Sequence, residues 1–353
     1  MAVFNAPEFD DHEQIVFCRD PEAGLKAIIA IHDTALGPAL GGCRMWPYGS
    51  EEEALTDVLR LSRSMTYKHA LAATGQGGGK AVIIGDPKRD KTPALLHAFG
   101  RFVDTLGGRY VVAEDVGTSV DDMTYVRRVT RHVAGLAQGG SGDPSPVTAY
   151  GVFCGIKAAV RHKFGRDDLA GVRVAVQGLG HVGSALCGYL HEAGARLYVA
   201  DIDADAVKGA VDAYAAAAVR SEEIADLAVD VFAPCALGGV LNSESIPRIQ
   251  APIVAGAANN QLACAGDGLA LAERGILYAP DYAINAGGVI NITFESGRYD
   301  RDAAMRRTAE IYDTLLEIFR RADAEGLPTN VVADRMALER IEAARAKTAA
   351  KPG

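Results

Sequence analysis

The 353-residue sequence has no apolar run approaching the ~18 residues that a membrane-crossing helix requires. Its first residues, "MAVFNAPEFDDHEQ", lack a basic segment followed by an apolar one, so no signal peptide is expected. No C-x-x-C pair occurs among the six cysteines, Cys18, Cys43, Cys154, Cys187, Cys235 and Cys264. That spacing argues against a zinc site or any other metal site, and for reduced thiols used as small apolar residues. Positive charge is also short, since 36 basic residues face 45 acidic ones for a net −9. The densest basic cluster, Arg127, Arg128, Arg131 and His132, is too small to form a binding stripe. Nucleic acid and anionic membrane are therefore unexpected partners. With no internal repeat either, these absences leave a cytoplasmic globular protein.

The length suits about two domains of roughly 150 residues. In the first part, "LKAIIAIH", "KAVIIG" and "RYVVAEDVG" read as short strands. Between the first two, Ser50 and Glu53 have capping-box spacing, and Leu55, Val58, Leu59, Leu61 and Met65 follow at helical intervals. Lys68 shares the face of Leu61 and Met65, an unusual place for an ammonium because burying one unpaired is costly. "AQGGSGDPSPVTAYG", residues 137–151, reads as a loop or interdomain hinge, which divides the chain into 1–146 and 147–353. Beyond it strands and helices alternate, as in a doubly wound parallel sheet. From about Asp300 the pattern is helical, fraying in "AARAKTAAKPG". The expected class is α/β: an N-terminal α/β substrate domain, then a Rossmann-like doubly wound domain with C-terminal helices that pack back on the first.

"GLGHVG", Gly178–Gly183, matches G-x-G-x-x-G, follows the strand "VRVAVQ", opens a helix and precedes Asp201 at the end of the next strand. Gly178 would make the turn, Gly180 would admit a pyrophosphate, and Gly183 would let helix and strand approach. Leu179, His181 and Val182 complete the turn, and the helix N-terminus offers free N–H groups to phosphates. Asp201, followed by Ile202, can accept from a ribose 2′-OH and would repel a 2′-phosphate. The cofactor this predicts is NAD rather than NADP.

"GQGGGKAVIIG" places Lys80 behind three glycines. A phosphate-binding P-loop fails on spacing, because Thr74 stands where the first glycine belongs and Ala81 replaces the hydroxyl residue. In a catalytic reading, Gly77, Gly78 and Gly79 clear space for a small molecule. Lys68 and Lys80 depress each other's pKa, and Asp115 supplies a carboxylate for proton transfer. The plainer alternative is a solvated lysine and an aspartate that caps a turn.

Taken in order, "LGPALGGCRMWPY", "MTYKHALA", "GGGKAVIIGDP", "GGRYVVAEDVGT", "DPSPVTAYGV", "VQGLGHVG", "FAPCALGG", "GAANNQL" and "RGILYAPDYAINAGGVIN" resemble the Glu/Leu/Phe/Val amino-acid dehydrogenases over about Leu25 to Asn330. The resemblance is strongest to the leucine and valine members, with tryptophan dehydrogenase nearly as close. It implies that Lys80 activates the water attacking an imine and that Asp115 exchanges protons with the substrate nitrogen. It implies that Lys68, assisted by Asn259, holds the α-carboxylate. Thr148 and Asn285 then lie near the nicotinamide carboxamide, and Cys235 and Ala236 beside the cofactor. The implied reaction is NAD-dependent oxidative deamination of an L-amino acid to a 2-oxo acid and ammonium, in a cleft that closes to exclude water. A homo-oligomer, from dimer to octamer, is implied as well.

The side-chain pocket implied by the same resemblance comprises Leu40, Gly41, Met65, Thr74, Val289 and Ile292. Leu40 stands where glutamate-specific relatives carry a lysine, and Ile292 where they carry a small hydroxyl residue. A charged side chain would be desolvated there without a partner. The expected substrate is an apolar amino acid, branched-chain first and aromatic (Phe or Trp) as the alternative. Thr74 departs from the aliphatic residue of the relatives, and its hydroxyl either faces the substrate or turns away. Two other classes stay open: a catalytically silent NAD-binding protein on the same fold, and a hydroxy-acid dehydrogenase, which would want a histidine base beside an acidic partner.

Overall fold

The computed structural model describes residues 3–136, 141–295 and 299–349. The chain divides into two compact units, one made of residues 1–143, 292–300 and 337–353, the other of residues 144–291 and 301–336. The start of the expected hinge, residues 137–140, and the last four residues of the chain lie outside the described residues.

In the first unit, strands β1 (Gln14–Asp20), β2 (Leu25–Asp33), β3 (Ala39–Trp46), β4 (Gly77–Ile84) and β5 (Tyr110–Glu114) form a mixed sheet in the order β1-β2-β4-β3-β5. β3 runs parallel to both β4 and β5, while β2 is antiparallel to β1 and β4. Residues alternate between the two faces, as the period of a strand requires. One face presents Ala39, Cys43, Met45, Ala81, Ile83, Tyr110 and Val112 to the core under helices α2 (Pro93–Thr105) and α3 (Val120–Arg127). The other presents Ile28, Ala30 and Val82 to Ala54, Leu55, Val58 and Leu59 of the long helix α1 (Glu51–Ala72). Burying each of the valine, leucine, isoleucine and methionine side chains among these is worth roughly 1.5–3 kcal/mol.

Ser50 caps α1 as expected, accepting from the Glu53 N–H at 3.1 Å. The reciprocal half of the box differs: Glu53 Oε2 takes the Gly49 N–H at 2.8 Å. The helix stops at Ala72, with Ala73 in the left-handed region at φ 46°.

The second unit opens with α4 (Ser145–Phe164), ended by Gly165 at φ +72°. Its strands are β6 (Arg173–Gln177), β7 (Arg196–Ala200), β8 (Ala217–Ala218), β9 (Val231–Pro234), β10 (Ile253–Val254) and β11 (Leu277–Tyr278). They form a wholly parallel sheet in the order β11-β10-β9-β6-β7-β8. This is the doubly wound Rossmann order, with its switch point between β6 and β9. Helices α5 (His181–Glu192), α6 (Ala204–Tyr214), α7 (Asp267–Glu273) and α8 (Asp281–Ile284) follow. The C-terminal part is helical: α9 (Gly287–Thr293), α10 (Arg301–Ala309), α11 (Ile311–Glu325) and α12 (Thr329–Ala349). α12 persists to Ala349 through most of the segment expected to fray, and within the first unit Arg340 donates to the carbonyls of Ala70 and Leu71. No described helix is long and apolar enough to cross a membrane. Four of the cysteines are buried, as small apolar residues would be, whereas Cys235 is half-buried and Cys264 exposed.

Candidate active site

Lys80 lies in the central strand β4, on the sheet face that α1 covers, and is only 6 % exposed. Its Nζ sits 2.8 Å from Oδ2 of Asp115, the first residue after β5. The solvated-lysine alternative is thereby excluded. The pair spans the intervening strand β3, whose register sets Gly42 level with Lys80. A Cβ on Gly42 would stand 2.7 Å from Asp115 Cβ and 2.6 Å from the Glu114 carbonyl, so only glycine lets lysine and carboxylate meet over this strand.

The turn carrying Asp115 is pinned at several points. The Asp115 N–H donates to Thr118 Oγ1 at 3.0 Å, and the same hydroxyl donates to the Cys43 carbonyl at 2.8 Å. Gly117, at φ +81°, passes so near the Met45 carbonyl that a side chain is excluded. Lys91 joins the Gly117 carbonyl to Asp122 of the α3 capping box.

The expected room beside Gly77, Gly78 and Gly79 is not there. All three are buried in β4, and added Cβ atoms would meet the Asp33 carbonyl at 2.2 Å, the Thr66 N at 2.1 Å and the Tyr110 ring at 2.9 Å. These glycines let α1 and the neighbouring strands close on β4; they do not open a path for a ligand. Gly41 is constrained alike, its would-be Cβ lying 1.8 Å from the Gly79 carbonyl.

A cation not expected from the sequence, Arg44, also reaches Asp115 beside Lys80. Its Nε lies 3.3 Å from the same Oδ2, and its Nη1 lies 3.0 Å from Asp57 Oδ2, which also accepts from the Tyr48 hydroxyl at 2.6 Å. Burial pushes the Asp115 carboxyl up, but Lys80 and then Arg44 outweigh it and hold its pKa below the usual value. Burial works against the Arg44 charge too, and Asp115 and Asp57 outweigh it there. The missed signal was alternation: Arg44 is two residues from Gly42, hence on the same face of β3.

Met65 and Lys68 are half-buried on the last turns of α1, less enclosed than Leu61. Leu40 is buried; Thr74 and Ile292 are half-buried. Between Leu40 and Thr74 stands a residue the sequence reading passed over, the fully buried His69. Its Nε2 lies 3.2 Å from the Leu40 carbonyl and its Nδ1 2.8 Å from Thr74 Oγ1.

In the second unit the glycine turn sits at the switch point. Gly178 has φ +97°, and a Cβ there would meet Ala236, just past β9, at 2.8 Å. Gly183 passes the Gly178 carbonyl so closely that a Cβ would lie 2.0 Å away. Gly180 faces open space, and α5 begins at it without a side-chain cap. The Asp201 carboxylate accepts from the Leu179 N–H at 2.5 Å and the Asp203 N–H at 2.9 Å, and these bonds, Leu179 first, lower its pKa. His181, Ile202 and Ala236 are exposed, Val182 and Cys235 half-buried and Leu179 buried.

Elsewhere in this unit, Asn285 Nδ2 donates to Asn259 Oδ1 at 2.8 Å and to the Ala257 carbonyl at 3.0 Å. Its Oδ1 is buried with no hydrogen-bond partner among the described residues. Thr148 packs against Gly287 and Gly288, just beyond Asn285, and Val289 is half-buried on the same α9. The loop holding Asn259 is fixed by Gln261, whose amide donates to the Gly256 and Ala258 carbonyls. These features fit a dinucleotide: an uncapped helix start behind a side-chain-free turn for its phosphates, a carboxylate for a ribose, and an orphaned buried acceptor for an amide donor.

A family model described as "Glu/Leu/Phe/Val dehydrogenase, dimerisation domain" matches residues 12–132, and one described as "Glutamate/Leucine/Phenylalanine/Valine dehydrogenase" matches 139–207 and 198–347. Leucine dehydrogenase of Geobacillus stearothermophilus is 54% identical over 347 residues, covering 98% of this chain and 95% of that one. Phenylalanine dehydrogenase of Bacillus thermotolerans is 49% identical over 348 residues, covering 95% and 90%. The crystal structure of L-tryptophan dehydrogenase from Nostoc punctiforme superposes with a TM-score of 0.84 at 49% identity, covering 95% of this chain and 97% of that one. The chain belongs to the Glu/Leu/Phe/Val dehydrogenase family. Within that class of oxidoreductases it is an NAD-dependent amino-acid dehydrogenase.

Proposed function

We propose that Lys80 and Asp115 carry out the oxidative deamination of a branched-chain L-amino acid, leucine, valine or isoleucine, with Lys68 and Asn259 holding its α-carboxylate. The observation that carries this reading is the buried 2.8 Å contact between Lys80 and Asp115. Bound NAD supplies the acceptor for the hydride that leaves Cα. Asp115, kept ionised by Lys80 and Arg44, takes a proton from the substrate nitrogen as the C=N bond forms. Lys80, having first released its own proton to solvent, takes a proton as the neutral amine from the water that adds to the imine carbon. Asp115 returns its proton to the nitrogen, the hydroxyl left by the water gives its remaining proton to solvent as C=O forms and the C–N bond breaks, and 2-oxo acid and ammonia leave. Gly178, Leu179, Gly180, His181, Val182, Gly183, Asp201, Ile202, Cys235, Ala236, Thr148 and Asn285 form the cofactor surface in this reading.

Leu40, Gly41, Met65, Thr74, Val289 and Ile292 form the side-chain pocket. Apolar side chains at Leu40, Met65, Val289 and Ile292 support an apolar substrate, because a charged one would be left without a partner. Residues 1–146 act as the substrate and assembly domain and residues 147–353 as the NAD domain. The active form is a cytoplasmic homo-oligomer between dimer and octamer, a reading supported by the "dimerisation domain" description of the matched family model.

The test is NAD reduction with L-leucine, L-valine, L-isoleucine, L-phenylalanine, L-tryptophan and L-glutamate, ranked by kcat/KM and repeated with Lys80→Ala. A branched-chain leader and a loss of roughly 10²–10⁴-fold in the variant are expected. An aromatic leader would move the substrate reading to the alternative. Turnover undiminished in Lys80→Ala would overturn the mechanism.

A further inference from the structure

We infer that His69 is a positioning residue for substrate specificity, locking the Leu40 backbone to the Thr74 side chain and keeping the Thr74 hydroxyl from any substrate. The inference rests on the reading of Leu40 and Thr74 as pocket residues. Proton bookkeeping leaves one arrangement. The Leu40 carbonyl can only accept, so His69 Nε2, 3.2 Å away, must carry a hydrogen. The ring is fully buried, and that burial lowers its pKa to about 3 despite the Leu40 bond, so it is neutral at working pH. A neutral imidazole with Nε2–H has a bare Nδ1, and Thr74 Oγ1, 2.8 Å from it, must donate there. The same oxygen accepts from the Gln76 N–H at 3.3 Å.

The only hydrogen of the Thr74 hydroxyl is thus consumed inside the fold. The residue offers no hydrogen-bond donor from its side chain to whatever lies beside it. Thr74 then behaves as an aliphatic residue in the pocket, although its type differs. His69 does for this pair what a second layer of side chains does around a reactive centre: it fixes rotamers that packing alone would leave free. The connection ties Leu40 of β3 to His69 of α1 across 29 residues of sequence, and through His69 to Thr74 in the turn after α1.

The experiment compares Thr74→Val, Thr74→Ser and, as a control on the pocket itself, Leu40→Ala in the full-length enzyme. For each, kcat/KM is measured for L-leucine, L-phenylalanine and the isosteric pair L-valine and L-threonine. Thr74→Val removes the donor, frees the His69 ring and loosens Leu40; the leucine-to-phenylalanine ratio is expected to fall threefold or more, with KM for NAD unchanged. Thr74→Ser keeps the donor and should hold the ratio within twofold. The valine-to-threonine ratio should stay within twofold in Thr74→Val, because no hydroxyl faced the substrate. A tenfold change in that ratio would show a substrate-facing hydroxyl and overturn the inference. So would an unchanged leucine-to-phenylalanine ratio in Thr74→Val while Leu40→Ala shifts it. If Leu40→Ala shifts nothing, it is the pocket reading that fails. The nitrogen chemical shifts of His69 give an answer independent of turnover: a proton on Nε2 is expected, and one on Nδ1 would overturn the arrangement.

Discussion

Arg44 Nε lies 3.3 Å from Oδ2 of Asp115, the oxygen that Lys80 Nζ approaches at 2.8 Å. One carboxylate oxygen therefore answers to two cations, and the second belongs to β3, the strand between β4 and β5, rather than to a glycine-lysine motif. Removing Arg44 removes part of what holds the Asp115 pKa down. In Arg44→Gln the Asp115 pKa should rise, so its proton-accepting form is lost at a higher pH. The acid limb of the kcat/KM profile is expected to move up by about one unit, within the range a nearby opposite charge commands. A superimposable profile would show that Lys80 alone sets the state of Asp115.

Gly42→Ala tests the geometry rather than the charge. The new methyl would sit 2.7 Å from Asp115 Cβ and 2.6 Å from the Glu114 carbonyl, and that backbone contact prevents an easy retreat. Turnover should drop at least tenfold, the KM for NAD should hold, and urea unfolding should show a cost of about 1–3 kcal/mol. Full activity would mean that the Asp115 turn adapts.

The Asp201 carboxylate holds the glycine turn through the Leu179 N–H and remains the acceptor assigned to the ribose. For Asp201→Ser the KM for NAD is expected to rise about 10- to 100-fold, as for loss of a charge-assisted bond, with NADP discriminated against less. If NAD kinetics are unchanged, the carboxylate serves the turn alone.

Much of this could be read before any coordinates. The β6–glycine–α5 unit is local: its strand, turn and helix are contiguous, and Asp201 lies at the expected remove. Lys80 and Asp115 were legible as residues but not as a contact, because 35 positions separate them and nothing local specifies the order β4-β3-β5. Arg44 escaped because a lone arginine in a strand looks like an edge charge until its face is known. The glycines before Lys80 were misread for a related reason. Gly78 closes on Thr66 and Gly79 on Tyr110, partners that only tertiary packing reveals.

Acid should destabilise the first unit through its buried histidines. Burial, chiefly, lowers His12 to about 4 and His69 to about 3, and lowers His32 as well. Above the unfolded value of roughly 6.5 both states are neutral and the full stability is present. Below it the unfolded chain binds protons that the native rings refuse, so stability falls with pH until the folded values are reached. Each such proton contributes a slope of about 1.4 kcal/mol per pH unit. Urea midpoints at pH 7.5, 6 and 5 should show this decline, and His12→Gln should remove about one proton from the slope. A midpoint flat from 7.5 to 5 would contradict the buried neutral rings.

The crowding around the glycines of β3 and β4 bears on how such an enzyme can diversify. Gly41, Gly42, Gly77 and Gly78 each abut a backbone atom closer than any side chain tolerates, so the platform under Lys80 is closed to heritable variation. Thr74, Met65 and Ile292 are only half-buried. In the proposed pocket, substrate preference would then be free to change at these rims while the reactive centre beneath Lys80 stays fixed.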